Sequence, residues 1–140
     1  MKHLRSLLLL FAVAVCFLTS CDETAAIKKF VAELNADCPI RYDDENVTLI
    51  KVQMHENYVE YVYQDEEIDS DGEYSVAEIY GDDIANWKNI IIKGIRNTTD
   101  EDYLDFYKEC KNNRIGIEEC YVGRRTNGAC TIRVEYWEIP

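Results

Sequence analysis

The stretch IKVQMHENYVEYVY, residues 50–63, decides the fold of this chain. Apolar side chains alternate with polar ones on both sides of Glu56-Asn57, which is typical of two strands joined by a tight turn. A two-residue turn at that point pairs three residues of each strand on one face: Met54 with Val59, Val52 with Tyr61, and Ile50 with Tyr63. The sequence therefore predicts a β-hairpin with one apolar face.

A second hairpin is predicted at the C-terminal end, with strands at about 115–123 and 129–138. In its last strand the inward positions are Cys130, Ile132, Val134 and Tyr136. Asn127-Gly128 is a strong signal for a two-residue hairpin turn, which would set Cys120 opposite Glu135. A bridge between Cys120 and Cys130 would then need a longer loop.

Helical periodicity marks three further segments. The first covers 25–36, with its apolar stripe at Ile27, Phe30, Val31 and Leu34. The second starts near Ile84, repeats through Trp87, Ile91 and Ile95, and is expected to end near Gly94 to Asn97. The third opens with a capping box, Thr98 with Glu101, and its expected buried face is Leu104, Tyr107 and Cys110.

The element order predicts an α+β fold in one domain, residues 25–140. Two α-β-β units would form a four-stranded antiparallel sheet with the helices on one face. Residues 64–83 are rich in acidic side chains and are expected to form the loop between the two units.

The charge balance argues against a nucleic-acid partner. The chain has 140 residues and a formal charge of −12. Residues 1–20 contain Lys2, Arg5 and no acid, which leaves 13 basic and 27 acidic side chains in the remainder. Binding to a phosphate backbone needs clustered Lys and Arg. A hydrophobic content of 47% with 16 aromatic residues is enough to bury a core, so disorder is not expected.

The N-terminus predicts export and a lipid anchor. A short basic start is followed by twelve apolar residues, 7–18, which is too short to cross a membrane and fits a signal peptide over 1–20. Leu18-Thr19-Ser20-Cys21 then resembles the lipobox of bacterial lipoprotein precursors. That resemblance implies cleavage before Cys21, a diacylglycerol on its thiol and an acylated amine, typically with palmitate. Residues 21–24 would be the lipidated N-terminus and tether. An ordinary signal peptide, with Cys21 in a disulfide, is the alternative.

Parts of the mature chain, such as LNADCPIRYDDENVTLIKV and CKNNRIGIEECYVG, are similar to uncharacterised small envelope proteins of bacteria. The resemblance brings no activity with it. Asp22 follows the predicted lipidated cysteine, where it resembles the inner-membrane retention signal of enteric bacteria. In other phyla acidic residues at this place accompany export to the outer membrane or surface, and the outer membrane is slightly preferred here.

Four cysteines remain once Cys16 leaves with the signal peptide and Cys21 is lipidated. These disulfide candidates are Cys38, Cys110, Cys120 and Cys130. An even number suits an oxidising envelope, and three pairings are open. Free buried thiols are the alternative, whereas zinc is disfavoured because no CxxC pair is present.

No catalytic constellation is found in the sequence, so we expect no enzyme. His55 is the only histidine of the mature chain and is expected to be an exposed turn residue, and Ser70 and Ser75 are its only serines. The alternative is a carboxylate-type hydrolase acting on envelope glycans, although nothing marks a buried acidic pair.

The segment from Glu67 to Glu78 resembles the calcium loop of EF-hands, with oxygen donors that include Glu67, Asp69, Asp71 and Glu78, and Gly72 at its sixth position. It departs from the family because it starts with Glu and follows a strand. A solvated acidic loop is the alternative, and no other cofactor is predicted.

The predicted function is that of a lipid-anchored envelope protein acting as a binding or assembly module. Its expected contacts are the membrane, through the anchor, and an envelope protein partner. Arg124-Arg125 is predicted to lie in a solvated turn. Trp87 is predicted to pack in the core, and Trp137 to pack at the C-terminus or to form part of an interface.

Overall fold

The computed structural model describes residues 22–43, 46–66, 78, 80–123 and 129–140. Three α-helices and five strands are formed by these residues. The helices are α1 (Ala25–Asp37), α2 (Ile84–Asn97) and α3 (Glu101–Asn112), and a 3₁₀ turn, Gly81–Asp83, precedes α2. The strands are β1 (Ile40–Tyr42), β2 (Val47–Met54), β3 (Tyr58–Asp65), β4 (Gly116–Gly123) and β5 (Ala129–Val134).

The strands form one mixed sheet in the order β1-β2-β3-β4-β5. Three of its pairings are antiparallel, but β3 and β4 run parallel. The α+β class is confirmed, whereas the prediction of four antiparallel strands is wrong. The chain passes through two helices between β3 and β4, and such a crossover brings the next strand back in the same direction. β1 was missed because three residues are too few to show alternation.

The first hairpin has most of the predicted register. Met54 pairs with Val59 and Val52 with Tyr61, and the amide of His55 donates to the carbonyl of Tyr58 to close the turn. The pairing of Ile50 with Tyr63 is wrong. A bulge between Leu49 and Lys51 places Leu49 opposite Tyr63 instead, and leaves Ile50 39% exposed.

The second hairpin has a longer connection than predicted. Val122 pairs with Ala129 and Cys120 with Thr131, so the two-residue turn at Asn127-Gly128 is wrong, although those two residues lie outside the described part of the chain. The strand ends at Val134, and Tyr136 lies in a turn instead of facing inward from a strand.

The helices agree with the predicted segments, with one change of cap and face. Asp100, not Thr98, caps α3, because its carboxylate accepts from the amides of Asp102 and Tyr103. Of the predicted buried face of α3, Cys110 is buried and Tyr107 packs against the core, whereas Leu104 is wrong because it is 44% exposed. Phe106 is buried and was not predicted. Gly94 lies inside α2 and does not end it.

The core lies between the helices and one face of the sheet, here called the inner face. α1 packs on β2 and α3, and α2 packs on β5. Buried residues from every layer meet there: Ile27 and Val31 from α1, Ile95 from α2, Phe106 and Cys110 from α3, and Leu49, Val52, Val59, Ile117 and Val134 from the sheet. Within the described residues, the helices are all too short or too polar to cross a membrane.

Candidate functional site

A cavity of about 620 Å³ lies between α2, α3 and the inner face of the sheet. Most of its wall is aromatic or aliphatic. The described residues that line it are Tyr42, Val47, Tyr61, Tyr63, Trp87, Ile90, Ile91, Gly94, Ile95, Thr98, Asp100, Tyr103, Tyr107, Ile117, Glu119 and Tyr121. We call it the aromatic cavity, because six of these residues are tyrosines and one is a tryptophan.

The helical wall of the aromatic cavity follows from the spacing of residues in α2. Trp87, Ile90, Ile91, Gly94 and Ile95 recur at helical spacing, so they form one stripe along the helix. Gly94 is the one member of that stripe without a side chain. A Cβ atom built there meets nothing within 4 Å, so the missing side chain leaves room in the cavity.

The sheet wall follows from the parallel register of β3 and β4. Tyr61 lies beside Glu119 and Tyr63 beside Tyr121, so these four side chains share the inner face. The rings of Tyr63 and Tyr121 stack with centroids 5.4 Å apart, and those of Tyr61 and Tyr63 stack at 6.4 Å. The strands thereby place a row of aromatic rings along one side of the cavity.

The hydroxyl of Tyr61 is the unusual group in this wall. Tyr61 is 5% exposed, and among the described residues its hydroxyl is a buried polar atom without a hydrogen-bond partner. Its neighbours are satisfied: Tyr121 donates to Glu119 Oε2 at 2.6 Å, and Tyr80 donates to Asp65 Oδ2 at 2.6 Å. Because native proteins pair nearly all buried polar groups, the unpartnered hydroxyl of Tyr61 sets this wall of the cavity apart.

The tyrosines of the aromatic cavity are neutral. Burial raises the pKa of Tyr61, Tyr63, Tyr107 and Tyr121, so their hydroxyls keep their protons at neutral pH. Its acidic lining residues are Glu119 and Asp100, and the described lining contains no Lys, Arg or His. The side chain of Asp100 is engaged in capping α3.

Two large apolar side chains of the cavity lining are exposed to solvent. Ile90 of α2 is 49% exposed and Tyr42 of β1 is partly exposed, and both line the cavity. A molecule that enters would cover these side chains, which solvent otherwise contacts.

A second groove of about 580 Å³ runs between α1 and α3. Its apolar floor contains Phe30 and Phe106, whose rings stack at 4.2 Å, and acidic side chains such as Glu33, Asp105 and Glu109 line it. Tyr61 does not reach this groove, and no buried polar atom without a partner was found along its described lining.

The opposite face of the sheet, here called the outer face, carries paired polar side chains. Arg133 contacts Glu118 through Nε at 2.8 Å and through a terminal nitrogen at 2.6 Å, and its guanidinium lies 3.9 Å from the ring centroid of Tyr58. His55 stacks on Tyr58 and places Nε2 3.2 Å from a carboxylate oxygen of Glu60. His55 is thus part of a polar cluster, where the sequence predicted only an exposed turn residue.

All four cysteines predicted to form disulfides are free thiols: Cys38, Cys110, Cys120 and Cys130. The predicted disulfide support is therefore not confirmed. Cys120 pairs with Thr131, whereas Cys130 pairs with Tyr121 and faces the core, so the two thiols leave the sheet on opposite faces. Burial raises the pKa of all four, to about 12 for Cys110, which disfavours the thiolate that a nucleophile needs.

The remaining predicted sites fall largely outside the described residues. These are the lipidation site Cys21, the calcium-loop residues Glu67, Asp69 and Asp71, and the pair Arg124-Arg125. Glu78 is described, and within the described ranges no group of three or more His, Cys, Asp or Glu side chains is placed to hold a metal ion. Trp87 packs beside the smaller core cluster of Tyr80, Cys130 and Ile132, while Trp137 is exposed and contacts Tyr136.

Two solved structures share the fold of this chain. A secreted protein from Pseudomonas aeruginosa superimposes with a TM-score of 0.61 at 12% identity, over 85% of this chain and 94% of that one. The pilotin of the Vibrio vulnificus type 2 secretion system superimposes with a TM-score of 0.53 at 12% identity, over 84% of this chain and 92% of that one. No family model matches the chain, and no curated protein matches it.

Proposed function

We propose that this chain is a lipid-anchored protein of the bacterial envelope that acts as a binding or assembly module, and that the aromatic cavity is its binding site. The observation that carries the proposal is that Tyr61 lines the aromatic cavity and its buried hydroxyl has no partner among the described residues. Ligand sites of proteins typically combine apolar walls with a few such polar groups.

The envelope location rests on the sequence and on the shared fold. The basic start, the apolar run and Leu18-Thr19-Ser20-Cys21 support export and lipid attachment at Cys21. One protein of the same fold is named as a putative secreted protein and the other as a pilotin of a secretion system, which supports a role in the envelope. The outer membrane is the proposed site of the anchor.

Binding is favoured over catalysis because the carboxylates already make structural contacts and the thiols have raised pKa values. Asp100 caps α3, and Glu119 accepts the hydroxyl of Tyr121. The four thiols of the mature domain have raised pKa values. Each of these groups has a structural role, whereas the Tyr61 hydroxyl has none.

Site-specific photo-crosslinking in living cells tests the binding role. A photoreactive residue in place of Ile90 in the cavity lining is expected to give an adduct in the full chain. The same residue in place of Leu104, which is as exposed but does not line the cavity, is the control. Filling the cavity with Gly94→Trp should remove the adduct, and Gly81→Trp, at a glycine with equally open space outside the lining, should keep it. Equal adducts at both positions, or an adduct that survives Gly94→Trp, would contradict the proposal.

Intact-mass spectrometry of the protein from membranes tests the anchor separately. The expected product begins at Cys21 and carries the added mass of acyl chains, because two or three chains are needed for stable anchoring. A mature chain that begins elsewhere and carries no acyl group would contradict the anchor.

A further inference from the structure

We propose that the ligand of the aromatic cavity is a small organic cation, a protonated amine joined to an apolar or aromatic body. This inference rests on the proposed function, since it names the class of molecule that the same cavity would take.

The walls of the cavity suit a cation because seven of the lining residues carry aromatic rings. Tyr63 and Tyr121 stack on the sheet side, and Tyr103 and Tyr107 of α3 and Trp87 of α2 add further rings. The face of an aromatic ring carries the negative end of its quadrupole and attracts an ammonium group, most strongly where water is excluded. The isoleucines of α2 and β4 complete the wall and would contact the apolar body.

The charge of the lining has the matching sign. Glu119 and Asp100 are its acidic residues, no described lining residue is basic, and the buried tyrosines are neutral. The whole chain carries a formal charge of −12, so its field draws cations and repels anions. An anionic ligand would find no positive partner in the described lining.

The polar groups at the cavity wall can accept hydrogen bonds from an amine. An ammonium group only donates, and the oxygen of Tyr61 can accept from it. Glu119 has one carboxylate oxygen 2.6 Å from the hydroxyl of Tyr121, which holds the carboxylate at the wall. Tyr61 and Glu119 are neighbours across β3 and β4, so both acceptors belong to the same face of the sheet.

The size of the cavity favours a small molecule. Its volume of about 620 Å³ lies within the range of pockets that enclose metabolites and drug-sized ligands, about 300 to 1,000 Å³. A body of one or two rings fits that volume.

Three indole compounds that differ only in the terminal group of the side chain, and therefore in charge, provide the test. Tryptamine is a cation at neutral pH, tryptophol is neutral and indole-3-propionate is an anion. Calorimetric titration of the protein purified from cells expressing the full chain is expected to give tryptamine an affinity about tenfold above that of tryptophol, with the anion weakest. Glu119→Gln, which keeps the acceptor oxygen, should remove most of the preference for tryptamine over tryptophol.

Matched glycine variants place the binding in the cavity. Gly94→Trp should abolish tryptamine binding and Gly81→Trp should leave it unchanged, and Gly94→Leu replaces the tryptophan variant if that one fails to fold. Tryptophol binding as tightly as tryptamine, with both lost in Gly94→Trp, would overturn the cation inference and leave the proposed binding function in place. Absence of tryptamine binding, or binding that survives Gly94→Trp, would also overturn the inference. The crosslinking at Ile90 tests the proposed binding function independently of the ligand class.

Discussion

The two faces of the β3–β4 pair each carry a buried polar side chain, and only the one on the outer face has its polar group paired. On the outer face Glu118 is 7% exposed and makes two contacts with Arg133. On the inner face Tyr61 is as buried and lines the aromatic cavity, yet its hydroxyl has no partner among the described residues. An unpaired buried polar group costs about 1 to 3 kcal/mol of folding free energy. The outer face therefore pairs its buried polar group, which favours stability. The inner face leaves a polar group unpaired at the cavity, and binding sites commonly contain such exceptions.

The largest effect expected is the loss of inner-face packing at the bulge of β2. Leu49→Ala should lower the free energy of unfolding by about 3 kcal/mol, because Leu49 is fully buried in the core. Ile50→Ala, one residue further and exposed, should change it by less than about 0.5 kcal/mol. Urea denaturation of both variants measures the difference. Equal losses would mean that both side chains are buried and that the bulge is misplaced.

On the outer face, removal of one ionic partner should have the next largest effect. Arg133→Met leaves the Glu118 carboxylate buried and unpaired, and should lower the free energy of unfolding by about 2 kcal/mol, since the arginine is itself partly exposed. A double-mutant cycle with Glu118→Gln isolates the pair. A coupling energy near zero would show that the outer face gains nothing from this contact.

The glycine of the cavity wall gives a smaller effect of opposite sign. Gly94→Ala should raise the free energy of unfolding by about 0.7 kcal/mol, because alanine favours a helix interior and its Cβ meets no atom within 4 Å. Gly116→Ala is the control, since a Cβ there lies 3.0 Å from the carbonyl oxygen of Val134 and should destabilise the protein. Destabilisation by Gly94→Ala would mean that the space beside α2 is filled.

The smallest effect expected is the acid dependence that Glu60 gives to the outer face. Burial acts to raise the pKa of Glu60, but hydrogen bonds from Gln53 and His55 outweigh it and hold the pKa below 4.5. A lowered pKa stabilises the folded state above the ordinary pKa, and the contribution is lost as the pH falls through the folded-state value. Glu60→Gln should therefore cost less than about 1 kcal/mol at neutral pH and flatten the loss of stability below pH 4.5. An unchanged acid profile of the urea midpoint would contradict this.

Hydrophobic periodicity predicted the local structure well, and it failed where two adjacent apolar residues could equally well face the core. The three helices and the pairing of Met54 with Val59 follow from spacing alone. Leu49 and Ile50 are adjacent apolar residues, so alternation could not decide which one faces the core. The parallel pairing of β3 and β4 depends on how the long connection between them packs, and no local sequence pattern predicts that packing.

The cavity could be predicted only in part. The alternation of residues predicted that Tyr61 and Tyr63 share one face of the hairpin, and both line the cavity on the inner face. Gly94 is a common helix-ending residue, and the sequence alone did not show that it lies within α2 and leaves room. A hydroxyl without a partner is a property of the packed structure, since the tyrosines beside it that do find partners look the same in sequence.

Replacement of one oxygen atom tests the central claim most directly. Tyr61→Phe removes the unpartnered hydroxyl, and we expect the free energy of unfolding to rise by about 1 kcal/mol while the affinity for tryptamine falls. Tyr121→Phe, which loses a hydrogen bond to Glu119, should lower the stability instead. A Tyr61→Phe protein that is less stable than the wild type and binds tryptamine equally well would contradict the account, because the hydroxyl would then serve the fold and not a ligand.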